Sequence, residues 1–216
     1  MKRVMVICEG TTEEFFVSKM LAPHFISYNV SVSPINLDGG FNYDSLKNNI
    51  VKTLNSDKNA HVTTLVDLYG INNDYPGYKA NATKEALQKV LEIEAAVQQD
   101  VLTHKNLYNR QFFCHFQLHE FEALLFSDPN SLEESLIIDH PEIPKGSFAK
   151  ILSDFPSPEY INDSVHTKPS QRIINLAPSY DKVSEGILIA EIIGLEKMRN
   201  ACPHFDLWIK KIENLS

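Results

Sequence analysis

The feature that most constrains this chain is an alternation, over about the first 126 residues, of short apolar β-branched runs with segments of helical spacing. Lys2 to Cys8 is an apolar run that stops at Glu9-Gly10. Thr11 and Glu14 predict a capping box with Thr11 as N-cap, and Phe15, Phe16, Met20 and Leu21 continue that helix up to Pro23. Asn29 to Ile35 alternates like a strand, Asp38-Gly39-Gly40 reads as a turn, and Leu46, Ile50, Val51 and Leu54 mark a second helix. His61 to Leu68 (HVTTLVDL) is the clearest buried strand. A long helix with the stripe Ala86, Leu87, Val90, Leu91, Val97 and Val101 follows. Arg110 to Gln117 predicts a fourth strand and Glu120 to Phe126 a short helix. Strands separated by helices are joined by crossovers and run parallel, with helices on both faces of the sheet. Beyond Asp128 the pattern changes. Pro141, Pro144, Pro156, Pro158, Pro169, Pro178 and Pro203 cut the chain into short helices, the last carrying Phe205, Trp208, Ile209, Ile212 and Leu215 on one stripe. The expected fold is α/β: a mostly parallel sheet flanked by helices over residues 1–127, and a helical C-terminal subdomain over 128–216 packed on it.

A chain of 216 residues can bury a sizeable core without covalent staples. Cys8, Cys114 and Cys202 are odd in number, far apart and free of any CxxC pair, which speaks against a disulfide framework and for a reducing compartment. The apolar run before Glu9 is too short for a signal segment or a membrane span, so the expected location is the cytoplasm, with no membrane partner. The net charge of −8 excludes a protein that holds nucleic acid by bulk attraction to phosphate. That charge is uneven: Lys168 to Lys211 carries seven Lys/Arg against five acids and is mildly basic, while the remainder is strongly acidic.

An open parallel sheet binds ligands outside the carboxyl ends of its strands. This chain places an acid at each such position: Glu9 after the first strand, Asp67 after the third, and Glu120 with Glu122 after the fourth. Carboxylates gathered in one crevice repel one another unless a cation joins them, and hard oxygen ligands suit Mg²⁺ or Mn²⁺. Strand-end acids also cap helices or face water. On a regular helix Glu120 and Glu122 diverge by about 200°, so only one of them faces a common crevice. His119, directly before Glu120, is a candidate for proton transfer or a structural histidine.

The string VMVICEGTTEEFF, with Glu9-Gly10 closing the first strand and an acid after the third, resembles the Toprim fold shared by topoisomerases, bacterial primases, recombination-mediator proteins and nucleases of the overcoming-lysogenisation-defect (OLD) class. More closely, VDLYGINNDYPGY, QLHEFEALLFSDP, TKPSQRI and CPHFDLW resemble a family of small stand-alone Toprim-like bacterial proteins of unassigned function, often encoded beside an ABC/OLD-type ATPase. The resemblance implies Glu9 as the Toprim glutamate, a metal ligand or general acid/base, and Asp67 as the first aspartate of a DxD metal motif. Tyr69 stands where the second aspartate belongs, which removes one hard ligand; Asp74 on the same loop, or Glu120 and Glu122, would supply the missing oxygen.

Thr167-Lys168-Pro169-Ser170-Gln171-Arg172 gathers two cations and two hydroxyls around a proline. It is either a phosphate-holding segment, with Lys182 in the same patch, or an ordinary helix start. Tyr69, Tyr75 and Tyr78 either stack bases or pack a proline-containing turn. The resulting expectation is a Mg²⁺-dependent (or Mn²⁺-dependent) phosphodiester-cleaving effector acting on DNA or RNA. Glu9, Asp67, Glu120 and Lys168 are its catalytic candidates, Glu9, Asp67, Asp74, Glu120 and Glu122 its metal ligands, and Lys168, Arg172 and Lys182 its phosphate ligands. The ATPase partner and a role in anti-phage defence come from the resemblance. The alternative is a non-catalytic Toprim-like module that binds a protein.

Overall fold

Val4, Val6, Ile7 and Cys8 are all completely buried, so the strand β1 (Lys2–Cys8) loses any polar face towards its end, as expected of an inner strand in a parallel sheet. The computed structural model, which describes residues 1–38, 42–104, 107–161 and 166–215, bears this out. The chain divides into two compact units, Met1–Gln117 with Lys210–Ser216, and Leu118–Ile209.

In the first unit, β1 is followed by α1 (Thr11–Phe16), a π-helical segment (Val17–Leu21) and α2 (Ala22–Ile26). Then come β2 (Val30–Asn36), α3 (Tyr43–Ser56), β3 (His61–Asp67), α4 (Ala86–Thr103), β4 (Gln111–Phe113) and β5 (Phe116–Gln117). The sheet order is β2-β1-β3-β4, with β5 also on β3, and every pairing is parallel. From β1 the chain crosses to β2 on one side, and from β3 it crosses to β4 on the other. Right-handed crossovers in opposite directions put helices on opposite faces. The neighbours β1 and β3 therefore flank the point where the direction of winding reverses, the place where open α/β sheets leave a crevice. Pro34 is tolerated because β2 is an edge strand.

Several local expectations are corrected. The cap of α1 is shifted by one residue: Gly10 is the N-cap, in an extended conformation, and Glu13 rather than Glu14 accepts the Gly10 N–H at 3.1 Å. Glu14 is drawn away to bind the Asn36 side chain at 2.7 Å. Pro23 does not end the helix. The widened π turn resets the hydrogen-bond register just before it, so its missing N–H falls in the first turn of α2, where such groups have no intrahelical partner. On α4 the buried stripe is Val90, Ile93, Val97 and Val101, and Leu91 points outward. The expected turn at Asp38-Gly39-Gly40 lies partly outside the described residues, since only Asp38 is described.

The run Arg110 to Gln117 is two short strands rather than one. Between β4 and β5 the Thr64 hydroxyl donates to the His115 carbonyl at 2.7 Å and accepts the His115 N–H at 2.9 Å, replacing the strand ladder with side-chain bonds. Glu94 fastens the restart of pairing by accepting the Phe116 N–H at 2.8 Å. His24 Nε2 lies 2.8 Å from Glu213 Oε1, which holds α2 to the end of the last helix.

The second unit is built around a 3-10 segment, Phe121–Ser127, in which Phe121, Ala123, Leu124, Leu125 and Phe126 are buried. Helices α5 (Pro129–Leu136), α7 (Pro169–Leu176), α8 (Ser184–Ile193) and α9 (Leu195–Ala201) pack against it, and α6 (Ser147–Ser153) packs on α5. The last helix, α10 (Pro203–Glu213), buries Phe205, Trp208, Ile209 and Ile212 as its stripe predicts. Its N-terminus is capped from a distance: buried Glu159 accepts the N–H groups of His204 at 3.0 Å and Phe205 at 2.9 Å. Burial pushes the Glu159 carboxyl up, and those two bonds oppose the rise. Asp128 caps α5 and pairs with Lys197, whose ammonium holds its carboxyl down at about 2. Among the described residues no helix is long and apolar enough to cross a membrane.

Two consequences are measurable. Thr64→Val keeps the volume but removes both hydrogen bonds to the His115 backbone, a loss of about 2 kcal/mol, so the melting temperature should fall by roughly 4–8 °C. Unchanged melting would show that the hydroxyl does not hold the interruption. Asp128 has a folded pKa below its unfolded value, so its stabilisation is complete above the unfolded value and is lost as pH falls through the folded one. Asp128→Asn should therefore lower Tm at pH 7, and the difference from wild type should shrink towards zero near pH 2.

Candidate functional site

The carboxyl ends of β1 and β3 carry one acid each at the point where the winding reverses. Glu9 follows Cys8 directly, and its backbone N–H still donates to the Leu65 carbonyl at 3.2 Å. Its carboxylate is thereby fixed beside β3, where Oε2 accepts the Asp67 N–H at 3.0 Å. Asp67 is the last residue of β3 and is 7% exposed, so its carboxyl group is held at the rim by the strand itself. Gly70 ends the short 3-10 turn that follows, and a Cβ there would lie 3.3 and 3.4 Å from the two Glu9 carboxylate oxygens. A Cβ at position 70 would press on the Glu9 carboxylate by a few tenths of an ångström, and no left-handed backbone conformation calls for glycine there.

Other polar groups lie on the segments that leave these strand ends. Glu13, 3% exposed, folds back onto Gly10 at the start of α1. Asp74 is exposed, its N–H bonded to Asn72 Oδ1 at 2.9 Å. Tyr75 is 3% exposed and its ring packs against Tyr43 and Phe116, with centroids 5.2 and 5.9 Å apart. Burial, then the charge of Glu9, pushes the Tyr75 phenol up. The buried Cys8 thiol beneath the crevice is pushed up as well, by burial first and then by Glu13 and Glu14, so it stays a protonated thiol rather than a nucleophile.

In the second unit each glutamate of the HEFE string is matched to a lysine. His119 adopts a left-handed φ of 64°, and Glu120 follows in extended conformation as N-cap of the 3-10 segment. Glu120, 6% exposed, accepts Lys168 Nζ at 2.6 Å and the Ser170 N–H at 3.0 Å. Glu122 is completely buried, and Lys182 Nζ lies 3.6 Å from its Oε2. Beside it the Tyr180 hydroxyl fills the space at Gly186, where a Cβ would approach to 2.7 Å. Arg172 donates from Nε to the Thr167 carbonyl at 2.5 Å and lies over the Phe155 ring. With Lys150 and Asn175 it lines an open groove of about 350 Å³.

The structure thus brings Glu9 and Asp67 together in the first unit, with Asp74 seven residues after Asp67 in sequence. In the second unit it brings Glu120 to Lys168 and Glu122 to Lys182. The tyrosines of the β3 loop do not form one stacking platform: Tyr69 is exposed, Tyr75 is in the core, and the Tyr78 ring lies under Lys89. Gly70 and Glu13 escape a reading by residue chemistry, whereas Tyr75, expected either to stack bases or to pack the turn, is buried in the core. Gly70 would have been findable from its place three residues after Asp67, where a loop must turn back over the strand end.

If Gly70 is glycine to admit the Glu9 carboxylate, Gly70→Ala should destabilise by about 1 kcal/mol, and the cost should vanish in a Glu9→Ala background. A double-mutant cycle read by denaturant unfolding checks this. Equal costs in both backgrounds would separate Gly70 from Glu9.

No curated protein matches the chain. A solved structure, the C-terminal region of the Burkholderia pseudomallei OLD protein, is similar over 98% of this chain and 97% of that one, at 15% identity and a TM-score of 0.47. The family model described as Domain of unknown function (DUF4276) matches residues 8–213, and the chain belongs to that family.

Proposed function

We propose that this protein is a divalent-metal-dependent phosphodiesterase of the Toprim type, acting on DNA or RNA beside an ATPase partner in anti-phage defence. The observation that carries the reading is the juxtaposition of Glu9 and Asp67 at the carboxyl ends of the adjacent parallel strands β1 and β3. Substrate class, partner and pathway rest on the resemblance of the sequence motifs.

The donor set fits Mg²⁺ or Mn²⁺: carboxylate oxygens on two rigid strand ends, with Asp74 on the loop that leaves β3. When bound, the ion neutralises charge on the phosphodiester and makes the attacking water more acidic. The chain does the rest. The Asp67 N–H fixes the Glu9 carboxylate through Oε2, and that carboxylate would hold the ion or take a proton. Lys168 and Lys182, with Arg172, are the phosphate ligands of this reading, and each lysine would exchange its glutamate partner for phosphate.

A second reading, a non-catalytic module that binds a protein, is favoured by two specific observations. Tyr69 replaces the second aspartate of the metal motif, and the candidate phosphate-binding lysines are engaged by carboxylates of their own chain.

Calorimetric titration separates the two. Wild type should bind Mg²⁺ or Mn²⁺ at millimolar or tighter affinity and cleave an oligonucleotide only with the ion present. Glu9→Gln keeps an oxygen that can accept the Asp67 N–H, so it should melt no lower than wild type while ion binding weakens at least tenfold and cleavage is lost; Asp67→Asn should behave alike. Absence of any divalent-ion heat or thermal shift in wild type would leave the binding module standing.

A further inference from the structure

Within the first unit the hydroxyl of Tyr75 is a buried donor that the fold does not use. It makes no hydrogen bond among the described residues, although the side chain is 3% exposed and its ring is held by Tyr43 and Phe116. Leaving a hydroxyl dry and unpaired opposes folding. Phenylalanine would pack the same space without that penalty, so the oxygen has a use outside the apolar contacts. Its position indicates the use. Tyr75 lies on the connection that leaves β3, after Asp67 and directly after Asp74, and its ring packs on Phe116, which pairs with Val66 next to Asp67 at the carboxyl end of β3.

We propose that Tyr75 is a ligand-binding residue of the Glu9–Asp67 crevice, its phenolic O–H donating a hydrogen bond to a non-bridging phosphate oxygen of the bound phosphodiester. This rests on the phosphodiesterase reading and adds to it a residue that touches the substrate. A neutral donor suits the place. A lysine or arginine beside Glu9 and Asp67 would be captured by them, as Lys168 is captured by Glu120, whereas a phenol remains an uncharged donor through neutral pH. The ring contacts fix the side chain, and the exposed turn 72–74 immediately before it is the segment that yields as the phosphate enters.

The test compares wild type with Tyr75→Phe in the full chain. Three quantities are read: the melting temperature without ligand, the affinity for Mg²⁺ alone, and the affinity for short phosphorothioate DNA and RNA strands in Mg²⁺. The expected result is a Tm equal to or above wild type, unchanged Mg²⁺ affinity, and strand affinity weaker by about tenfold or more, the loss expected for a hydrogen bond to a charged acceptor. Equal strand affinity in the two proteins overturns the role of Tyr75 and leaves the metal reading intact. A Tm lowered by several degrees also overturns it, because the hydroxyl then has a partner inside the fold. Wild type that binds neither Mg²⁺ nor strand overturns the phosphodiesterase reading, and this inference falls with it.

Discussion

One hydrogen bond organises the functional end of the first unit: the Asp67 backbone N–H donating to the Glu9 carboxylate at 3.0 Å. A parallel ladder ends where its strands diverge, leaving backbone donors without partners at the point where a ligand crevice must open. Here the last donor of β3 is satisfied by a side chain from the end of β1, 58 residues earlier in the chain. The bond fixes Glu9 and brings its oxygens close to Gly70, where a side chain would press on them. It also brings two carboxyl groups to one rim, an arrangement whose mutual repulsion a cation relieves.

The alternation of strand and helix was legible because it is local. Periodicity of 2 and 3.6 is written in consecutive residues, and crossover geometry turns it into a parallel sheet with little further choice. What escaped depends on partners far away in sequence. The interruption between β4 and β5 is made by Thr64, about 50 residues earlier, and nothing in RQFFCHFQ announces it. The shift of the α1 cap from Thr11 to Gly10 follows from Asn36, which takes Glu14 and leaves Glu13 to fold back. At the candidate site the acids could be read from their positions after strands, whereas Gly70 and Tyr75 owe their importance to what packs on them.

The lysines show how residue chemistry alone misses context. Lys168 and Lys182 look like phosphate ligands in a basic stretch. In the folded second unit they neutralise Glu120 and Glu122, two carboxylates with almost no exposure. A carboxylate at that depth is expensive without a counter-charge, and removing one partner of such a pair costs more than the pair itself contributes. Glu120 keeps the Ser170 N–H as a second donor, so its lysine is the more readily shared of the two. Glu122 is completely buried, where an uncompensated charge costs most.

The overall charge decides how such a protein can meet a polyanion. At −8, long-range attraction works against contact with nucleic acid, and surface cations already paired to glutamates add little. On the function proposed above, affinity would then come from short-range terms: a divalent ion held by Glu9 and Asp67, and neutral donors whose hydrogen bonds no neighbouring carboxylate can cancel by pairing. Short-range terms of this kind respond weakly to salt, because few condensed counterions are released when few lysines or arginines contact phosphate. A chain so built gains selectivity at the cost of capture rate, and an associated protein that supplies basic surface would remedy that weakness without any change in the crevice.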